Sequence, residues 1–143
     1  DCGNITHVPL GQLTRKHTLS CGCRHKSKWE MFISEFLNGL NIDYVTQKRF
    51  DDCKNKKGID TLPFDFYIPF YNIVIEYDGE HHFKPIKGWG GEEKFITTQQ
   101  NDCIKNDYCK LNNITLLRLP YTYTEDDIKY EILNILSPVT IIA

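Results

Sequence analysis

The chain has 143 residues, 41% of them hydrophobic and 25% charged, and a net charge of −2. That is enough for one domain with a real core, and no apolar run approaches the roughly 20 residues that a membrane span needs. Composition and charge exclude a low-complexity chain and, taken alone, do not point to a nucleic-acid partner. The charge is unevenly spread: residues 1–57 carry ten Lys/Arg and six Asp/Glu, net +4, whereas residues 58–143 carry seven and thirteen, net −6. A basic front and an acidic back suit a protein that grips phosphate with one part and holds cations with the other. No signal peptide is visible. The chain begins Asp1-Cys2 rather than with Met, so a fragment of something longer is expected.

Residues 1–26 are polar and turn-rich, with too few apolar residues for a core of their own. Such a segment is disordered or organised by a metal. Cys2, Cys21 and Cys23 cluster in a way that suggests structural zinc, with free thiols in a loose tail as the plainer alternative. Cys53, Cys103 and Cys109 read as ordinary thiols of a reducing compartment.

Ser27–Leu40 predicts an amphipathic helix. Ser27 stands at the N-cap with Glu30 three residues on, and Trp29, Phe32, Ile33, Phe36, Leu37 and Leu40 form one stripe. Residues 43–50 predict a strand and residues 51–60 a charged, flexible connection. Phe64–Ile68 and Ile73–Asp78 predict an antiparallel hairpin closed by a tight turn at Pro69–Asn72. Residues 80–95 read as a long loop rich in glycine, Thr97–Leu111 as a helix, and 114–120 as a strand stopped by Pro120. Residues 124–136 predict a last helix capped by Thr124. The order α-β-β-β-α-β-α, with a helical crossover before the last strand, predicts an α/β fold: a mixed central sheet flanked by helices.

The chemistry gathers at the end of the second hairpin strand, "Ile75-Glu76-Tyr77-Asp78-Gly79-Glu80-His81-His82". Residues two apart in a strand share a face, so Glu76 and Asp78 point the same way, with Asp65 on the neighbouring strand. Carboxylates that converge repel one another unless a cation relieves them, and an all-oxygen set suits Mg²⁺ or Mn²⁺. The plainer alternative is solvated acids at strand ends. A neutral imidazole beside them, His81 or His82, can move a proton. Trp89, among Gly88, Gly90 and Gly91, either wedges between bases or folds back on the core.

These segments, together with "Phe64-Asp65-Phe66-Tyr67-Ile68-Pro69", "Asn101-Asp102-Cys103-Ile104-Lys105" and "Asn113-Ile114-Thr115-Leu116-Leu117-Arg118", resemble the very-short-patch-repair endonuclease group. The likeness is to its phage homing-endonuclease branch with an E-D-x-H-D signature, an offshoot of the PD-(D/E)xK nuclease superfamily, and it covers about Ser27 to Tyr123. The resemblance implies a restriction-endonuclease-like core over 27–143, preceded by a partial zinc-binding-like segment over 1–26. It implies a catalytic set of Glu30, Asp65, Asp78, His82 and Asp102, with His81 as the fallback for His82. Helical-wheel reasoning disagrees with it on one point: Asp107, not Asp102, falls inside the apolar stripe set by Ile104 and Leu111. The superfamily lysine is missing, since Asp78 stands where it would be. Metal ligands are then Asp65 with Glu76 or Asp78. The Cys-rich front resembles half of a zinc module of phage nucleases, whose fourth thiolate would precede Asp1; His25 is a substitute.

The implied activity is Mg²⁺-dependent hydrolysis of DNA phosphodiesters. The alternatives are a non-catalytic DNA-binding module on the same fold, or an RNA nuclease. Lys26, Lys28, Lys84, Trp89 and Lys105 are the expected DNA contacts, with Lys16 and Arg24 near them. Double-stranded DNA is the expected partner, a homodimer is left open, and no membrane is involved. The expected location is the cytoplasm of a bacterial, phage-infected or virus-infected cell.

Overall fold

A computed structural model describes residues 27–137. Cys2, Cys21, Cys23, His25 and the basic Lys16, Arg24 and Lys26 lie outside the described residues. Helix α1 spans Lys28–Gly39. Ser27 Oγ accepts from the Glu30 amide, and the Glu30 carboxylate accepts from the Ser27 amide, so two orphan donors of the first turn are satisfied reciprocally. The remaining elements are β1 (Val45–Lys54), β2 (Thr61–Ile68), β3 (Ile73–Asp78), α2 (Gly91–Leu111), β4 (Thr115–Pro120) and α3 (Glu125–Leu136). Thr124 and Asp127 form a second capping box at the start of α3.

The four strands make one mixed sheet in the order β1-β2-β3-β4. β1 and β2 are antiparallel, as are β2 and β3, while β3 and β4 are parallel. The parallel pair follows from the α2 crossover, as the order of elements predicts. Asn72, at φ 52°, supplies the left-handed residue that turns β2 into β3.

Helices cover both faces. Ile33 and Leu37 of α1 pack with Ile128 and Ile132 of α3 onto Phe66, Ile68, Ile73, Ile75 and Leu119. On the opposite face Cys109 of α2 packs with Cys53, Leu62, Phe64 and Val74. Covering on both sides explains why β3 reads Ile-Val-Ile rather than alternating. Each fully buried Leu or Ile contributes about 1.5–3 kcal/mol.

Three boundaries differ from the sequence-based expectation, the first being the start of β2 at Thr61 rather than Phe64. β1 runs on to Lys54, taking residues expected in a loop, because Phe50 and Cys53 reach the α2-side cluster. α2 begins at Gly91 rather than Thr97, with Glu92 and Glu93 in its first turn, where the helix dipole favours acids.

β2 changes face partway along. Phe66 belongs to the α1/α3 side and Phe64 to the α2 side. The switch falls at Asp65, between the pairs Thr46–Phe66 and Lys48–Phe64. Gln47, between Thr46 and Lys48 on β1, adopts φ 52°. Pairing of β2 with β3 also stops here, covering Phe66–Ile68 against Ile73–Ile75. The Asp65 carboxylate replaces the lost pairing by accepting from the Tyr77 amide at 2.9 Å. The sheet therefore opens beside Asp65, and the cleft lies in that opening.

Candidate functional site

The cleft encloses about 640 Å³ and is lined by Glu30, Asp65, Glu76, His81, His82, Trp89 and Lys105, among others. It lies outside the carboxyl ends of β3 and β4, where open α/β sheets commonly take their ligands. A smaller hollow of about 320 Å³ adjoins it, sharing His81, His82, Trp89 and Lys105 and adding Asp102 and Lys94.

Three carboxyl groups, those of Glu30, Asp65 and Glu76, line the cleft, though their oxygens do not all lie within 4.8 Å of one another. Trp29 stacks on Tyr77, centroids 5.8 Å apart, and so anchors the first turn of α1 over the end of β3 with Glu30 toward the cleft. Asp65 lies at the opening, where Gln47 Nε2 also donates to it at 3.3 Å. Glu76 is only 3% exposed. Burial raises the Glu30 carboxyl above its ordinary value, and the charge of Asp65 adds to this against the Ser27 cap. Burial likewise pushes Glu76 up, with Asp65 adding and Lys105 opposing. Asp65 thus stands electrostatically between two acids that are reluctant to ionise. An all-oxygen set under mutual repulsion fits a hard divalent cation.

Lys105, expected as a DNA contact, is only 8% exposed. Its ammonium donates to Glu76 Oε1 at 2.8 Å and lies 5.1 Å from the Phe64 ring centroid. An ammonium in that setting serves the buried acid rather than a surface phosphate. The structure thereby supplies a lysine to the acids from α2.

Asp78 does not join the Asp65 and Glu76 group. Two residues along a strand carry it about 6.6 Å farther, within reach of Arg118 on β4, whose register neighbour is Glu76. Arg118 Nη1 lies 2.7 and 2.8 Å from the two Asp78 oxygens, and Asp78 is 5% exposed. Arg118 Nη2 also donates to Asp102 Oδ1 at 3.1 Å, and its Nε donates to Asn106.

His82 sits on this network. The turn Glu80–His82 folds the histidines back over the sheet end. A Cβ at Gly79 would lie 3.1 Å from the His81 ring, which favours glycine there. His82 Nδ1 is 2.7 Å from Asp102 Oδ2 and 3.6 Å from Asp78 Oδ1, and Gln99 donates to its carbonyl. With Nδ1 committed to a carboxylate, Nε2 is the ring nitrogen left to meet a ligand. Burial opposes ionisation of Asp102, but the His82 hydrogen bond and the Arg118 charge outweigh it and hold the carboxyl below its ordinary value. Asp78, His82 and Asp102 bring ligand atoms within 4.8 Å of one another. Arg118 supplies positive charge to this trio, as Lys105 does to Glu76.

Asp102, favoured by resemblance, is therefore beside His82, while Asp107 is exposed. The helical wheel misplaced the buried face of α2 because it took Ile104 and Leu111 as guides, and Leu111 is 82% exposed. The face that packs runs through Asp102, Lys105 and Cys109, at helical spacing and partly polar. His81 stacks on Trp89, centroids 4.9 Å apart, and Trp89 stays 63% exposed. Burial and the neighbouring His82 lower the His81 pKa. Lys28 and Lys84 are exposed, Lys84 paired with Glu80. Arg118 is the residue that sequence reasoning missed: an arginine inside "LLRLP" was its one signal.

No family model matches the chain, and no solved structure matches it at significance. Among curated proteins it is similar to the uncharacterized protein 307L of invertebrate iridescent virus 6, 35% identical over 104 residues. That stretch is 68% of this chain and 52% of the viral protein, so the chain spans about half the length of this relative. Among the described residues, no helix is long and apolar enough to cross a membrane.

Proposed function

We propose that the chain carries the catalytic domain of a metal-dependent endonuclease that hydrolyses DNA phosphodiester bonds. The observation that supports this reading is the single cleft lined by Glu30, Asp65 and Glu76, with His82 on its rim. A mixed sheet with helices on both faces, and acids at the ends of its central strands, agrees with a restriction-endonuclease-like core. Asp65, with Glu76 and Glu30, would hold Mg²⁺ or Mn²⁺. When bound, such an ion polarises a phosphate oxygen and lowers the pKa of a coordinated water.

The protein's own groups have distinct tasks in this reading. His82 exchanges a proton through Nε2 with the attacking water or the leaving oxygen. Asp102 orients the imidazole through Nδ1, and Arg118 holds Asp102 and Asp78 in turn. Lys105 holds the buried Glu76 carboxyl in place through its hydrogen bond to Oε1. Asp78 supports the histidine side rather than the ligand set.

The test is nicking of supercoiled plasmid by the full chain with Mg²⁺, Mn²⁺ or EDTA. Wild type should nick with either ion and not with EDTA, Asp65→Ala should lose nicking, and His82→Ala should lose most of it. Nicking that survives Asp65→Ala, or that persists in EDTA, overturns the assignment. Binding of DNA without nicking by wild type would favour the non-catalytic module.

A further inference from the structure

We infer that the free tip of the β1–β2 hairpin, residues 54–60, forms an arm that enters the major groove of the DNA flanking the cleft, carried on a base, residues 48–53, that packs against α2. This rests on the nuclease reading above and adds the surface that receives the duplex. β3 pairs with β2 at Phe66–Ile68, while β1 and β2 pair out to Arg49 and Pro63 and, past a bulge in β1, again at Lys54 and Thr61. Beyond Phe64 the hairpin is thus a ribbon without a third strand. Its base is fastened to α2, where Phe50 and Phe64 meet Tyr108 and the Tyr108 hydroxyl donates to Asp52. Its tip is built rather than slack. Asn55 Oδ1 accepts from the Ile59 amide, Asn55 Nδ2 donates to Asp60, the Asn55 amide donates to the Asp60 carbonyl, and Gly58 takes φ 70°.

Charge selects the partner. The described residues hold thirteen Lys/Arg and eighteen Asp/Glu, net −5; residues 48–60 hold five and three, net +2, leaving −7 elsewhere. Lys54, Lys56 and Lys57 are exposed, and among the described residues none of them forms a salt bridge. Two of the three acids are already engaged, Asp52 by Tyr108 and Asp60 by Asn55. A B-form major groove admits a two-stranded ribbon, whereas the deep, narrow major groove of duplex RNA does not. Pro63, at the root of the arm, lines both hollows of the site. From Asp65 to Thr61, the partner of Lys54, is four residues, about 13 Å at ~3.3 Å each. At ~3.4 Å per base pair, the lysines reach phosphates about four base pairs to one side of the scissile bond.

The test measures binding of the full chain to a 30-base-pair duplex in EDTA across a salt series, for wild type and K54Q/K56Q/K57Q. Neutralising three phosphate contacts should reduce the slope of log K against log [salt] by about 2.7. Trimming the duplex to three base pairs on one side of the cleavage point should erase the difference between the proteins. The triple variant should still nick plasmid when protein is saturating. An unchanged slope, or equal binding of duplex RNA, overturns the arm and leaves the hydrolase reading intact. A normal slope change in a wild-type protein that never nicks supports the arm and sinks the hydrolase.

Discussion

Arg118→Met is the most demanding perturbation of the site, because one guanidinium holds two acids of different elements. In the native protein its Nη1 lies 2.7 and 2.8 Å from the Asp78 oxygens, and its Nη2 lies 3.1 Å from Asp102 Oδ1. The side chains of Arg118, Asp78 and Asp102 are 23%, 6% and 15% exposed, so solvent screens these pairs little. Methionine fills similar space but leaves Asp78 as a buried charge with only His82 nearby. Breaking a buried pair from one side costs about 3–5 kcal/mol. In a domain of this size that lowers Tm by roughly 10–20 °C. The assay is urea unfolding at several pH values. Asp102 ionises in the fold below its ordinary value of 3.8. A depressed carboxyl contributes stability that is present above the unfolded pKa and lost as pH falls through the folded one. The gap between wild type and variant should therefore be full at pH 7 and shrink below about pH 4. A loss under about 1 kcal/mol at pH 7, or a gap indifferent to acid, would refute the argument.

Two further outcomes follow from the same geometry. Burial pushes the Glu76 carboxyl up to about 8, above its ordinary 4.5; the stability this contributes is fully present below 4.5 and lost as pH rises through 8. Thermal unfolding should accordingly show wild type losing stability relative to Glu76→Gln between pH 5 and 9, and parallel profiles would contradict the placement of Glu76. Asp102→Asn keeps the shape of the His82 contact but disfavours its tautomer, so nicking at saturating DNA should fall about 10²–10⁴-fold, while far-ultraviolet circular dichroism stays unchanged. Full activity in this variant would remove His82 from proton transfer.

Local physics made much of the fold readable. Ser27 with Glu30 and Thr124 with Asp127 announce helix starts because short polar side chains satisfy the first amides. Ile73-Val74-Ile75 announces a strand covered on both faces, and the crossover before Thr115 announces its parallel neighbour. The strand end at Glu76 and Asp78 stood out because titratable groups rarely follow such a run directly. Periodicity misled where the packed face was itself polar. On α2 the face through Asp102, Lys105 and Cys109 carries little hydrophobic signal, so the wheel followed Leu111 outward.

Chain order tells which kinds of group stand at the end of β3 and which elements carry them. It assigns no partners, because a strand's alternation says which face a side chain takes but not which distant charge meets it there. Folding brings Lys105, 29 residues away, to Glu76 and Arg118, 40 residues away, to Asp78. Those two cations come from α2 and β4, which reach the acids only when the crossover closes. Their arrival divides one run of carboxylates between two cations, Lys105 on Glu76 in the cleft and Arg118 on Asp78 and Asp102 beside it.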